Sequence, residues 1–191
     1  MKSLTIYIDF KSAASYLAMN ATCQLIEQRY LKVIWKPYSI RAAVVAEQKD
    51  IETKTETHLR VREAQRQQTH LKYADVLGVP IHFQINPKAS TAALLALTQL
   101  DADPINYIQA AFLAYWRDGL DLDDPEVVEN ILGACDCDLT GINFDSAAYE
   151  AFQAEQVQAE EQGVFDVPMY VVGVDRFLGR EHLPWLESLL M

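Results

Sequence analysis

The spacing of apolar and polar positions divides the chain into a mixed start, a long helical middle and a mixed end. Residues 4–9 set Leu4, Ile6 and Ile8 against Thr5, Tyr7 and Asp9, and this period of two predicts a strand. From Ser12 to Arg29, Ala14, Leu17, Ala18, Ala21, Leu25 and Ile26 recur at helical spacing. Ser12 falls at or next to the N-cap of that helix, where a hydroxyl satisfies an orphan backbone N–H. Lys32 to Tyr38, with Val33, Ile34 and Trp35, predicts a second strand that Pro37 either ends or confines to a sheet edge. A strand–helix–strand unit of this kind is expected to be a right-handed parallel crossover.

From about residue 42 to residue 162 the pattern is helical almost throughout. Gly78 followed by Pro80 stops one helix, and Gly119 closes the helix of Tyr107, Ala111, Phe112, Tyr115 and Trp116. Asp103-Pro104 and Asp124-Pro125 each read as an N-cap with proline at the first helical position. Phe144-Asp145 opens a last helix that Gly163 ends. Strands then return at Pro168–Val172 and Arg176–Leu178, joined through Gly173-Val174-Asp175 as an antiparallel hairpin, and Arg180 to Leu190 forms a closing helix. The predicted organisation is an α/β domain made of residues 1–41 and 163–191, interrupted by a helical subdomain over residues 42–162.

A chain of 191 residues, half of them apolar, is long enough for a packed core. The net charge of −11 argues against nucleic acid, whose phosphates are bound by clustered Lys and Arg, and against an anionic membrane surface. No stretch is long and apolar enough to span a bilayer, and the first residues lack the pattern of a signal peptide. Three cysteines (Cys23, Cys135, Cys137) make no even-numbered framework, so the expected compartment is the cytoplasm. Cys135-Asp136-Cys137-Asp138 has no second thiol pair to complete a zinc set, and the four histidines lack ligand spacing.

Two stretches carry the chemistry. The first is Asp9-Phe10-Lys11-Ser12-Ala13-Ala14-Ser15-Tyr16-Leu17-Ala18. The second is Gly163-Val164-Phe165-Asp166-Val167-Pro168, followed by Gly179-Arg180-Glu181-His182-Leu183. A helix N-terminus gathers unpaired N–H groups and partial positive charge, which favours an anion and lowers the pKa of a nearby thiol. Where a disulfide oxidoreductase would open this helix with Cys-x-x-Cys, the chain has Ser12 and Ser15. A thiol acting there must therefore come from a bound molecule.

Together these stretches resemble the 2-hydroxychromene-2-carboxylate isomerases and kappa-class glutathione transferases, glutathione-dependent relatives of DsbA. The resemblance implies an α/β thioredoxin-like fold with a large all-helical insertion, and a homodimer. It also implies glutathione as cofactor and a small aromatic or conjugated electrophile as substrate. In that family a serine at the position of Ser12 activates the glutathione thiol, and a cis-proline corresponding to Pro168 turns the N–H and C=O of the preceding residue, here Val167, toward the cysteinyl backbone. Glu181 falls where an acidic residue meets the γ-glutamyl ammonium. Arg180 stands in place of a small polar residue, where it could reach a carboxylate, and His182 in place of an arginine. Arg62 is the candidate for a basic contact from the insertion. Ala13 departs from the family's proline and Asp166 from its glycine, and residues 42–57 contain no asparagine for the family's usual contact. Lys11 is expected as a solvated loop cation and Ser15 as a helix-face residue. The aromatic residues Tyr107, Phe112, Tyr115 and Trp116 are expected in the core, or else as the wall of an apolar substrate cleft. The competing expectation is a thioredoxin-like binding or scaffold protein that does no redox chemistry.

Overall fold

The computed structural model describes residues 3–40, 53–100 and 103–190. β1 (Ser3–Ile8), α1 (Ala13–Arg29) and β2 (Lys32–Pro37) come first, then α2 (Lys54–Leu77), α3 (Thr91–Thr98), α4 (Ile105–Trp116), α5 (Pro125–Ala134) and α6 (Ser146–Glu161). β3 (Met169–Val172), β4 (Asp175–Leu178), a 3₁₀ turn (Arg180–His182) and α7 (Leu183–Leu189) finish the chain. The sheet order is β2-β1-β3-β4, with β1 parallel to β2 and antiparallel to β3. β2 therefore lies at an edge, where Pro37 costs no ladder bond. β3 and β4 pair antiparallel around Gly173-Val174, and Gly173 takes a φ of 61° that L side chains rarely adopt. The mixed four-stranded sheet and its flanking helices are the thioredoxin-like arrangement expected from the two ends of the chain.

Local chemistry explains most boundaries. The Ser12 side chain caps α1 by accepting from Ser15 N, and Thr53 with Glu56 forms a reciprocal capping box on α2. Asp124 and Asp145 cap α5 and α6. Gly78 ends α2 with a φ of 66°, the left-handed turn that glycine adopts without penalty. Pro104 itself takes the cap position of α4, so the helix starts one residue later than expected. The closing segment divides into a 3₁₀ turn and a short α-helix.

One expectation needs correction. The helical pattern is interrupted over residues 79–90, which run without helix or strand. Pro80 and Pro87 each lack an N–H for a helical bond, and the segment is held instead by tertiary bonds. Tyr16 Oη donates to Pro80 O (2.8 Å), His82 N to Trp116 O (2.8 Å) and Tyr115 Oη to Lys88 O (3.0 Å). In β1 the two alternating residue sets pack into different clusters. Leu4, Ile6 and Ile8 join the larger apolar cluster with Phe10, Tyr107 and Phe112, while Tyr7 is buried on the other side against Tyr38, Val164 and Met169. Helices lie on both faces of the strand, so both of its residue sets are covered.

Asp9, directly after β1, is 0% exposed. Its carboxylate accepts from Lys11 N (3.1 Å), Lys11 Nζ (2.5 Å), Ile40 N (2.8 Å) and Ser90 Oγ (2.7 Å). Lys11 is thus not the solvated cation expected, because its side chain is only 7% exposed and its ammonium also donates to Ser39 Oγ (3.0 Å). A buried charge pair is stable only while both members remain, since removing one leaves the other uncompensated. Asp9→Ala should accordingly lower the free energy of unfolding by about 3–5 kcal/mol in urea denaturation. The double variant Asp9→Leu/Lys11→Met should lose clearly less than the sum of its single changes, and strict additivity would show that the pair is not coupled.

Candidate active site

The N-terminus of α1, the loop before β3, one face of α2 and the segment 79–90 meet around a cleft. Its wider part holds about 690 Å³. A narrower part of about 220 Å³ runs past Val167 and Pro168 to Gly179, Arg180 and Glu181. Ala14, Arg66, His70 and Asp166 border both parts, so they form one continuous groove.

Ser12 sits at the junction between α1 and the facing loop and is buried. Its Oγ accepts from Ser15 N (3.1 Å) and donates to Val167 O (3.4 Å), which ties the helix start to the facing loop. The Val167–Pro168 peptide is cis. Val167 N–H donates to Asp166 Oδ1 (2.8 Å), and Asp166 Oδ2 lies 3.6 Å from Arg66 Nη2. Ser15 is buried one turn along α1, and its hydroxyl has no partner among the described residues.

At the narrow end, the Arg180 guanidinium lies 3.6 Å from the centre of the Tyr73 ring, a cation–π contact that ties the 3₁₀ turn to α2. Glu181 folds its carboxylate back over Gly179, whose φ is 87°. The positive φ is what favours glycine at residue 179, since a Cβ there would displace only the flexible end of the Glu181 side chain. His182 Nδ1 meets Leu178 O (2.6 Å) and so belongs to the turn rather than to the groove.

The aromatic residues divide between the two roles expected of them. Tyr107 and Phe112 are core, packed edge-on to Phe10. Tyr115 and Trp116 reach the wide part of the cleft, with Phe83, Ile85 and Pro87 beside them. Trp116 is fixed by donating Nε1 to Phe10 O (2.9 Å) and by stacking on Tyr16. Burial, followed by the charges of Asp9 and Asp121, pushes the Tyr115 phenol up to about 12, so it stays protonated.

The contributions of α2 differ from the expectation. Arg62 is exposed and does not border the cleft, whereas Arg66, one turn later, does. His70, read from the sequence as an isolated histidine, stacks on Phe83 and faces both parts of the groove. Burial, reinforced by Arg66 and Arg180, lowers its pKa to about 4 and keeps the imidazole neutral near pH 7. The signal was present as a polar stripe: Arg66, His70 and Tyr73 recur at i, i+4 and i+7 on one helix face. Residues 41–52, which include most of the stretch without an asparagine, lie outside the described residues. None of the three cysteines borders the groove, and burial raises the pKa of each. No group of three metal-ligating side chains occurs among the described residues.

The chain is 28% identical over 200 residues to a 2-hydroxychromene-2-carboxylate isomerase of Sphingobium xenophagum, covering 100% of this chain and 98% of that protein. It is 26% identical over 192 residues to the enzyme of the same name from Pseudomonas putida, covering 95% and 91%. Among solved structures it superposes on a selenomethionine 2-hydroxychromene-2-carboxylate isomerase with a TM-score of 0.76 at 21% identity, covering 98% of this chain and 93% of that one. It also superposes on the cytosolic disulfide reductase DsbM of Pseudomonas aeruginosa with GSH, with a TM-score of 0.62 at 15% identity, covering 98% of each chain. The DSBA-like thioredoxin domain model matches residues 3–191, and the chain belongs to that family.

Proposed function

We propose that the chain is a glutathione-dependent isomerase of the 2-hydroxychromene-2-carboxylate type, acting on a small conjugated or aromatic electrophile. The observation that carries this reading is the placement of Ser12. A buried serine caps the helix that faces the Val167–Pro168 loop and borders the wide aromatic cleft, beside the narrower groove that runs past Val167. The names of the two curated relatives support the isomerase reaction over a transferase. The absence of any Cys-x-x-Cys separates the chain from disulfide oxidoreductases. Its three unpaired cysteines suit a reducing, cytoplasmic compartment.

The donor set fits a γ-glutamyl tripeptide. Glu181 offers an acceptor for an ammonium, Arg66 and Arg180 offer donors for carboxylates, and Val167 would supply main-chain groups for strand-like pairing once Asp166 and Ser12 release them. Gly179 leaves the space in which the Glu181 carboxylate folds. Bound glutathione would supply a thiol nucleophile that the chain itself does not place in the groove. Ser12 would hold that sulfur as an anion by turning its hydroxyl from Val167 O, with the N-terminus of α1 adding its partial positive charge. Trp116, Tyr115 and Phe83 would press a planar substrate against this point and exclude water. His70, neutral near pH 7, offers a ring nitrogen for hydrogen bonding where the two parts of the groove meet.

Calorimetric titration with glutathione is expected to show saturable binding, whereas silence up to millimolar concentrations would favour the scaffold reading. Ser12→Ala should cost about 1 kcal/mol of stability through the lost cap. It should also raise the pKa of the bound thiol, followed by thiolate absorbance against pH, and slow thiol-dependent turnover roughly ten- to a hundredfold. Superimposable titration curves would leave Ser12 as a cap alone. For His70, nuclear magnetic resonance should place the titration midpoint near the value of about 4. Because the folded-state pKa lies below the ordinary 6.5, the unfolded chain binds the proton more readily. Stability should therefore fall as pH drops from about 6.5 toward about 4, and His70→Gln should remove that part of the pH dependence.

A further inference from the structure

The glutathione reading requires Val167 to offer its backbone N–H and C=O to a ligand main chain. In the structure both groups are already engaged. Asp166 Oδ1 accepts from the N–H at 2.8 Å, and Ser12 Oγ donates to the C=O at 3.4 Å. The two bonds differ in kind. The Ser12 contact is long and neutral, and the hydroxyl leaves it by a simple rotation. The Asp166 contact is short and made by a carboxylate, a stronger acceptor than the amide carbonyl of any incoming peptide.

Arg66 keeps that carboxylate in place. Its Nη2 lies 3.6 Å from Asp166 Oδ2, reaching from α2 across the groove to the loop before β3. Both side chains of the pair remain partly exposed, so the ion pair is weak and readily exchanged. Asp166 and Arg66 also border both parts of the groove. The carboxylate thus stands where a ligand must pass and holds the donor that the ligand must win.

We infer that Asp166 is an intramolecular competitor for the ligand-pairing edge of Val167, anchored by Arg66, and that it sets the affinity of the groove for a glutathione-type peptide thiol. This rests on the glutathione reading. A ligand carbonyl gains the Val167 N–H only when Asp166 swings away, and Arg66 then becomes available to a ligand carboxylate. Each free carboxylate of the tripeptide offers such a replacement, whereas a neutral small thiol offers none.

Two readouts test the inference. In the protein alone, hydrogen exchange at the Val167 amide should be roughly tenfold faster in Asp166→Ala than in wild type. In calorimetry, Asp166→Ala should bind glutathione roughly tenfold more tightly. Asp166→Asn preserves the side-chain shape with a neutral acceptor and should move both readouts the same way by a smaller factor, which serves if the alanine variant does not fold. Equal exchange rates, or equal glutathione affinities in wild type and variant, would overturn the competition and leave the glutathione reading standing. Faster exchange with no glutathione binding by either protein would overturn that reading and the competition with it.

Discussion

The site depends on one buried carboxylate. Asp9 sits at the C-terminal end of the central strand with no exposure to solvent, and four donors from three segments converge on it. Lys11 binds it from the turn into α1, Ile40 from the chain leaving β2, and Ser90 from the start of α3. The Asp9 carbonyl also accepts from Ser12 N (3.0 Å), so the same residue fixes where α1 begins. A charged group removed from water must collect its full complement of donors, and that requirement brings distant segments together. The floor of the cleft is the result.

Around that floor the cleft is assembled from parts of unlike origin. The sheet and α1 supply the polar groups: a capped helix start, a loop with turned main-chain groups and a glycine that accommodates a folded carboxylate. The intervening helices supply the apolar wall and the cations. They are bound into the same core, since Phe10 packs between Tyr107 and Phe112 and its carbonyl receives the Trp116 indole N–H. Tyr16 on α1 stacks on Trp116 and donates to Pro80 O, which fixes the wall relative to the helix start. Shape and charge in the groove are therefore set by packing far from its opening.

The electrostatics divide along the same line. His70 is held neutral and the Tyr115 phenol is held protonated, chiefly because both are buried. Burial also raises the thiols of Cys23, Cys135 and Cys137, none of which borders the groove. What remains for an anion is the α1 N-terminus with Ser12 and the cations Arg66 and Arg180. Arg66 is engaged by Asp166, and Arg180 lies over Tyr73.

Local sequence determined the elements and their limits. Alternation in β1, helical spacing in α1 and α4, the Asp124-Pro125 start and the Gly78 stop act over a few residues, so no distant contact was needed to place them. The two end motifs were enough to indicate the thioredoxin-like fold and the capping role of Ser12. Tertiary structure decided the rest. Residues 79–90 follow a path set by bonds to Tyr16, Tyr115 and Trp116, residues far away in sequence. Lys11 reads as a loop cation until the fold closes Asp9 and Ser39 around it. Arg62 and Arg66 are alike in the sequence and one turn apart, and only the docking of α2 decides which of them faces the groove. His70 and Asp166 acquire their neighbours in the same way, because a partner across a cleft is a long-range relation that no local pattern encodes.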